Sequence, residues 1–469
     1  MHVYVTASPI CKLTYENLRA LAILGYISVA ETEDPHRMPA TSVTPTSGQT
    51  VAAPQTTNYR AMAMVTTLFF MWGFLTCLND ILIPHLKSIF DLNYAEVMLV
   101  QFAFFSSYFV FSFPSGKIID FFGYKKAMVA GLVTMGVGAL MFVPAAAVPS
   151  FPLFLAALIT LAAGMTILQT SANPYVAVLG PPRTASSRLN LTQAFNSLGT
   201  TVAPSFGSKL ILGAAAAPVA IEVLRQMSPD QLHAYRVSQA ASVKGPYIGL
   251  AFALLALAVV MALFKLPTIE SVEAHGQVHD SVWRYRHLVL GAIGIFVYVG
   301  AEVAIGSFLT NYFHGSDIGG LSLQDAADML KYYWGGAMVG RFIGSALLQK
   351  IRTGTLLGFN AIVAALLVAA SMLSVGHFAM WTILLVGLFN SIMFPSIFTL
   401  GVDGLGTLTG DGSALLIAAI VGGAIIPELQ GLLADRIGIH HAFIIPLVCY
   451  LYIAYYGFRG SRHAAKAAA

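Results

Sequence analysis

Charge is what this chain has least of. Asp, Glu, Lys and Arg make up 10% of its 469 residues, where soluble globular chains carry about 25%. With 57% hydrophobic residues, such a chain cannot cover a water-facing surface, which excludes an ordinary soluble domain. Cysteine is equally sparse. Cys11, Cys77 and Cys449 lie far apart, so neither a disulfide framework nor a thiolate metal site is expected. The chain has no glycine-rich phosphate loop, which argues against ATP-driven work, and no nucleophile elbow or zinc-protease motif, which argues against an enzyme. The net charge of +4 is small enough to be explained by membrane topology, so no nucleic-acid partner is implied.

What the chain has instead is long apolar runs. Stretches of about 20 apolar residues span a bilayer as helices. They are expected near 61–86, 96–119, 126–146, 151–177, 189–213 and 246–266, then near 288–313, 329–349, 354–375, 378–401, 413–434 and 441–458. This is an all-α polytopic membrane protein with six helices in each half. The run 61–86 holds one formal charge, Asp80, and the run 288–313 holds one, Glu302, 222 positions later. A charge at a helix centre costs about 2.5–3.5 kcal/mol on insertion scales, so carboxylates there mark ion or solute pathways. The offset recurs. Pro174 to Gly180 is echoed by Pro395 to Gly401, Gly199 and Pro204 by Gly422 and Pro427, and Gly116-Lys117 by Gly340-Arg341. Echoes in the same order read as an internal duplication, the mark of a transporter built of two parallel halves.

Lys125, Lys126, Arg183, Arg188, Lys350 and Arg352, with Lys265, Arg284 and Arg286, gather on one side of the expected helices. That bias places both termini inside the cell. Residues 1–58 read either as a disordered cytoplasmic tail or as sequence upstream of true initiation near Met38. Residues 59–266 form the first half, 267–287 a polar linker, 288–460 the second half and 461–469 a short tail. His275 and His279 in the linker lack the carboxylate or cysteine company of a metal site.

Two motifs carry chemistry. Gly116-Lys-Ile-Ile-Asp-Phe-Phe-Gly-Tyr-Lys-Lys126 puts Asp120 and a basic cluster in a tight turn, an arrangement that can latch one closed state of a moving bundle. Its expected gate residues are Gly116, Asp120, Gly123, Lys125 and Lys126, with Arg341 in the degenerate second copy. The stretch from Gln169 to Gly199 places Gln169 and Asn173 on one helix face and Asn190, Gln193 and Asn196 on another. Amides in a membrane can glue helices together. Several converging amides also suit a polyhydroxylated ligand, which needs fixed neutral donors and acceptors. Asn79, Asn390 and Phe394 complete the candidate solute-binding set, with Glu302 also assigned to it.

The turn beginning at Gly116 resembles the signature loop of the major facilitator superfamily. Asn79-Asp-Ile-Leu-Ile-Pro84, Ala172 to Pro181, Arg188 to Ser197 and Tyr298-Val-Gly-Ala-Glu302 resemble its fucose, glucose and galactose branch over about residues 60–460. The resemblance implies twelve helices in two pseudo-symmetric halves and alternating access. It implies uptake of a glucose- or galactose-like hexose, or an amino sugar, coupled to a cation, and it matches Asp80 to the acid on the first helix of fucose permeases. Their second acid falls at Gln169, and their seventh helix carries an amide where this chain has Glu302, which points toward the glucose/galactose members. Asp80 and Glu302 are therefore the expected coupling sites, for a proton or for sodium. No other cofactor is expected, and the protein is expected to act as a monomer in the bacterial inner membrane. A facilitator or exporter of another small polar solute on the same fold is the alternative.

Overall fold

The computed structural model describes residues 56–90, 94–207, 226–267 and 281–462; the side chains of 78–89, 94–99, 204, 205, 207 and 323 lie outside the described set. The apolar runs become helices because a backbone in lipid must satisfy its own N–H and C=O groups. In chain order these are α1 (Tyr59–Phe90), α2 (Tyr94–Ala147), α3 (Phe151–Val178), α4 (Ala185–Gly207) and α5 (Pro229–Leu263). After the segment joining the halves come α6 (Arg286–His314), α7 (Leu323–Leu347), α8 (Thr353–Met372), α9 (Gly376–Asn390) and α10 (Met393–Val402). The chain ends with α11 (Thr409–Ala418), α12 (Gly422–Ile437), α13 (Ile439–Ala442) and α14 (Ile444–Tyr455). No strand is present among the described residues.

Six membrane crossings per half follow from this list. The helix α2 crosses twice, turning at Gly123 (φ 74°, ψ 165°), a backbone conformation open to glycine. In the second half, α9 and α10 share one crossing, α11 and α12 another, and α13 and α14 the last. Among the described residues, nine stretches are apolar enough to register as spans. Counting Val100–Ala147 twice and adding α4 and α7 gives twelve. Those two are the polar exceptions because they face each other across the two halves.

Several expected boundaries move. The sixth helix, expected at 246–266, begins at Pro229, where Ser228 and Gln231 form a reciprocal capping box with proline at the first helical position. The fifth starts at Ala185 rather than 189, and its expected end at 213 lies outside the described residues. The runs 378–401 and 413–434 are broken helices, the second by a 3-10 turn at Ala419–Val421 before Gly422. Of the expected tail, residues 1–55 lie outside the described set. Asn58 caps α1, its Oδ1 accepting from Ala61 N at 3.0 Å, while its own N–H reaches the Leu179 carbonyl at 2.9 Å. Within the linker, His275 and His279 lie outside the described residues.

The repeat has a structural meaning. A side chain on Gly199 would strike the Phe70 carbonyl of α1, and one on Gly422 would strike the Phe296 carbonyl of α6. Each half thus crosses its first and fifth membrane spans at a glycine, where backbones touch. Since Phe70 and Phe296 are 226 apart, α1 and α6 are related by 226 rather than 222 positions. Asp80 then falls opposite Gly306, and Glu302 opposite Thr76. The two carboxylates are not at matched places: they share a helix face but differ by about one turn, roughly 6 Å, in depth.

Arg188 holds the junction of α3 and α4. It is 4% exposed and donates to the carbonyls of Val176 at 3.2 Å, Ala177 at 2.5 Å, Gly180 at 3.2 Å and Pro181 at 3.0 Å, and to Thr184 Oγ1 at 2.7 Å. A cation on the orphan carbonyls of a helix C-terminus both satisfies them and opposes the dipole. Arg188→Leu is expected to cost about 3 kcal/mol, because buried acceptors lose a charged donor. The check is the temperature at which the purified protein loses its monodisperse peak, which should fall clearly below that of the parent.

Candidate functional site

Two polar walls lie inside the bundle, one in each half, and each is built on a tyrosine–amide pair. In the first half, Gln169 Nε2 donates to Tyr108 Oη at 2.9 Å, joining α3 to α2. In the second half, Asn390 Nδ2 donates to Tyr333 Oη at 2.8 Å, joining α9 to α7, and lies 3.5 Å from Tyr450 Oη of α14. The pairs are related by 225 and 221 positions, so the duplication extends to their chemistry. Gln169 and Asn390 were legible as amides. Tyr108, Tyr333 and Tyr450 were missed, because a tyrosine in an apolar run reads as core until its hydroxyl is seen to have a partner.

The first wall continues through Asn173, whose Nδ2 donates to the Gln169 carbonyl at 2.9 Å and whose Oδ1 lies 3.5 Å from Gln193 Nε2. Gln169, Asn173 and Gln193 are therefore brought together. Asn196 is turned away from them: its amide donates to the Phe69 carbonyl of α1 at 3.0 Å, beside Gly73. This is an interhelical tie. Asn190 gives its amide to Ser186 O at 2.9 Å. Phe394 is buried on α10 and stacks on Phe398, ring centroids 6.1 Å apart. The side chains of Asn79 and Asp80 lie outside the described residues; the backbone places both in the last third of α1.

Glu302 stands in the second wall. Tyr298 Oη donates to its Oε1 at 2.8 Å, and Arg341 Nη2 of α7 lies 4.0 Å from the same oxygen. With Glu302 14% and Arg341 12% exposed at the side chain, the pair is largely buried and its attraction is less screened than that of a surface pair. Arg341 does more than balance the charge. Its Nη1 donates to the Gln193 carbonyl at 3.2 Å and to Ser197 Oγ, and its Nε to the Ser391 carbonyl at 3.2 Å. One guanidinium thus joins α4 of the first half to α6, α7 and α9 of the second. It sits within a helix rather than in a loop.

Other ties across the halves cluster at the end of the bundle that carries Lys125, Lys126, Arg183, Lys350 and Arg352. Ser186 Oγ and Thr399 Oγ1 are 2.6 Å apart, Thr353 Oγ1 donates to Ser186 Oγ at 2.9 Å, and Ser187 and Ser345 exchange hydroxyl-to-carbonyl bonds of 2.7 and 3.0 Å. The turn beginning at Gly116 joins this seam. A methyl group on Gly410 would lie 2.8 Å from Asp120 Oδ1, and one on Gly116 would lie 3.2 Å from Ala414 Cβ. Glycine at 410 lets the Asp120 carboxylate approach the N-terminal end of α11, where burial and the neighbouring Asp411 carboxylate both disfavour its charge. Gly123 makes the turn itself, and Lys125 Nζ donates to the Ala262 carbonyl at the end of α5 at 2.7 Å. Lys126 is exposed. Interhelical side-chain bonds in membranes average about 0.6 kcal/mol each. The seam is therefore held by a few kcal/mol, within what a ligand preferring one state can reverse.

Two apolar hollows lie outside this site. They hold about 640 and 610 Å³, share Phe70, Met71 and Ala253, and lie between α1 and α5. Their lining suits hydrocarbon rather than a hydroxylated solute. Among the described residues, no three His, Cys, Asp or Glu side chains gather to hold a metal ion.

Residues 62–426 match the model of the Major Facilitator Superfamily. The chain belongs to this superfamily. It is 53% identical to the glucose/galactose transporter of Brucella abortus over 86% of its own length and 94% of that protein's. The crystal structure of the Escherichia coli fucose:proton symporter superposes with a TM-score of 0.79 at 34% identity, covering 86% of this chain and 98% of the other. A structure of that transporter in the outward conformation gives the same TM-score at 33% identity, over 86% of this chain and 99% of the other. The superfamily fold has twelve membrane helices in two six-helix halves, which is the architecture described above. Its members here are transporters, so the protein is a multi-pass membrane transporter and not an enzyme.

Proposed function

We propose that this transporter takes up a hexose of the glucose/galactose type, or an amino sugar, together with a cation, by alternating access across the bacterial inner membrane. The observation that carries the reading is the pair of matched walls. Gln169, Asn173 and Gln193 on one side, and Asn390 with its tyrosines on the other, offer neutral donors and acceptors on both sides of a membrane-embedded seam. That is the chemistry a sugar requires of a site it must also leave. Identity of 53% to a glucose/galactose transporter supports the substrate class. Phe394 supplies an apolar face for the sugar ring.

The coupling ion is a proton or sodium. Glu302 and Asp80 are the two groups that would carry its charge, and the unlike depth of their positions suits two roles rather than a duplicated one. Both termini face the cytoplasm, and the closed seam at the basic end is the inner gate, with Gly116, Asp120, Gly123, Lys125, Lys126 and Arg341 as its parts. Likeness to a relative in an outward conformation supports that assignment. A single copy suffices for this cycle, since each site is completed within one chain.

The direct test is uptake of labelled glucose, galactose, fucose, fructose and N-acetylglucosamine into proteoliposomes under imposed proton or sodium gradients. Accumulation of one of them under one gradient is the expected result; equilibration without accumulation under either gradient would leave a facilitator. A sharper expectation concerns Gln193. Gln193→Ala leaves a sugar hydroxyl and Asn173 Oδ1 unpaired, so sugar binding should weaken by about 1–3 kcal/mol, while Asn196→Ala, which loses a tie to α1, should chiefly lower heat resistance. Unchanged sugar affinity in Gln193→Ala, measured by equilibrium binding, would return Gln193 to the role of helix tie.

A further inference from the structure

The most anomalous side chain outside the two walls is Gln430 of α12. It is fully buried, and neither its Oε1 nor its Nε2 has a hydrogen-bond partner among the described residues. Asn190 and Asn390 each leave only the carbonyl oxygen unpaired and have their amide nitrogen bonded. Gln430 leaves both ends of its amide unmatched. In a lipid-embedded helix, an amide with no partner is expensive, and a leucine would fill the same space without that penalty. The group is therefore expected to find its partner in some other state of the transport cycle.

Its position says which partner. The buried residues of α12 are Gly422, Gly423, Ile426 and Gln430, one stripe along the helix. Gly422 packs on Phe296, Ile426 packs on Gly300, and a methyl on Gly431 would lie 3.6 Å from the Phe308 ring. Gln430 is thus level with α6 between Gly300 and Phe308, the depth of Glu302 or just beyond it. The stripe also faces the other half: a methyl on Gly423 would lie 2.7 Å from Phe105 Cε1 of α2 and 3.1 Å from Val299 Cγ1. Seven residues on, Gln430 returns to nearly the same face about 10 Å further along the axis. It therefore sits at the seam between the halves. By the relation between α1 and α6, it lies near the depth of the α1 backbone at Asp80. The helix is built to move there, with the 3-10 turn Ala419–Val421, Gly422-Gly423 and Pro427 below it.

We infer that Gln430 is a further solute-binding residue, contributing both a donor and an acceptor to a hydroxyl group of the transported sugar when α12 shifts against its neighbours in another state of the cycle. This rests on the sugar-transport reading above. A single hydroxyl can accept from Nε2 and donate to Oε1, so one solute group would satisfy both orphaned atoms.

The test uses the full-length purified transporter and Gln430→Leu, with two readouts: thermal stability without sugar, and the dissociation constant for the sugar the parent binds. Leucine removes the unmatched amide, so the sugar-free variant should be as heat-resistant as the parent or more so. Its sugar affinity should fall about tenfold, the loss of a hydrogen-bonded hydroxyl. Unchanged or tighter binding would overturn the inference, and so would a loss of affinity accompanied by lower stability, which would mean that the amide serves the fold. If the parent responds to no sugar in the panel, the sugar reading fails and the assignment of Gln430 to a sugar hydroxyl falls with it; a parent that binds sugar beside a Gln430→Leu variant of equal affinity overturns the assignment alone.

Discussion

Glu302→Gln should cost the protein sugar binding as well as accumulation. The carboxylate accepts from Tyr298 at 2.8 Å and faces Arg341 at 4.0 Å, and both side chains are largely buried. Glutamine keeps the shape and one acceptor but removes the charge, leaving the guanidinium with carbonyl and hydroxyl partners alone. Breaking a buried pair by removing one partner costs about 3–5 kcal/mol, because the remaining charge is uncompensated. Part of that will be relieved here, since Arg341 retains Gln193 O, Ser197 Oγ and Ser391 O. A loss of about 2–3 kcal/mol in stability, with sugar binding weakened beside it, is the expected outcome. The check is equilibrium sugar binding together with gradient-driven uptake. The double variant Glu302→Gln/Arg341→Gln removes both charges and should regain heat resistance without regaining accumulation. If Glu302→Gln binds and concentrates sugar as the parent does, the pair is a structural one.

How much of this was legible before the structure depends on what each residue competes with in the sequence. Glu302 stood out because charge is scarce, and the amides of α3 and α4 because they cluster. The tyrosines did not stand out: Tyr108, Tyr333 and Tyr450 lie in apolar runs where an aromatic ring needs no explanation, and only their hydroxyl partners reveal them. The start of α5 was misplaced because the polar stretch from Pro229 to Gly245 does not read as a span, although Ser228-Pro229-Asp230-Gln231 carries a capping signal. Gln430 was passed over for the opposite reason to the tyrosines. A lone amide in a span is ordinary, and its lack of any partner is visible only in three dimensions.

The duplication itself was read correctly in kind and incorrectly in register at one place. Four echoes near offset 222 identified two halves, and the tyrosine–amide pairs at 225 and 221 show that the repeat reaches the polar interior. Yet insertions of a few residues let the offset drift along the chain. A one-turn slip on a helix keeps a side chain on nearly the same face, so the pairing of Asp80 with Glu302 looked right by face while being wrong by depth. In the reading proposed here, two acids one turn apart in equivalent helices take two roles rather than one duplicated role.

Asp80→Asn should separate coupling from binding. Its backbone lies about 32 Å along α1 from Tyr59, in a helix of 32 residues that is longer than the roughly 30 Å hydrocarbon core. That places it between the midplane and the end away from the basic loops, one turn beyond the level of Glu302. In the reading proposed here, Glu302 is already balanced by Arg341, so the role of taking up and releasing the coupling ion falls to Asp80. Asparagine keeps the size and hydrogen-bonding capacity but cannot change charge on loading. Uptake against a gradient should therefore fall to the level of empty vesicles, while sugar binding stays within about threefold of the parent. Exchange of internal for external sugar, which needs no net movement of the ion, should persist. Comparing the two assays in the same proteoliposomes separates this from misfolding, which would abolish both. If Asp80→Asn still accumulates sugar as the parent does, the coupling charge lies elsewhere and Glu302, released from Arg341 at another stage of the cycle, becomes the residue to test.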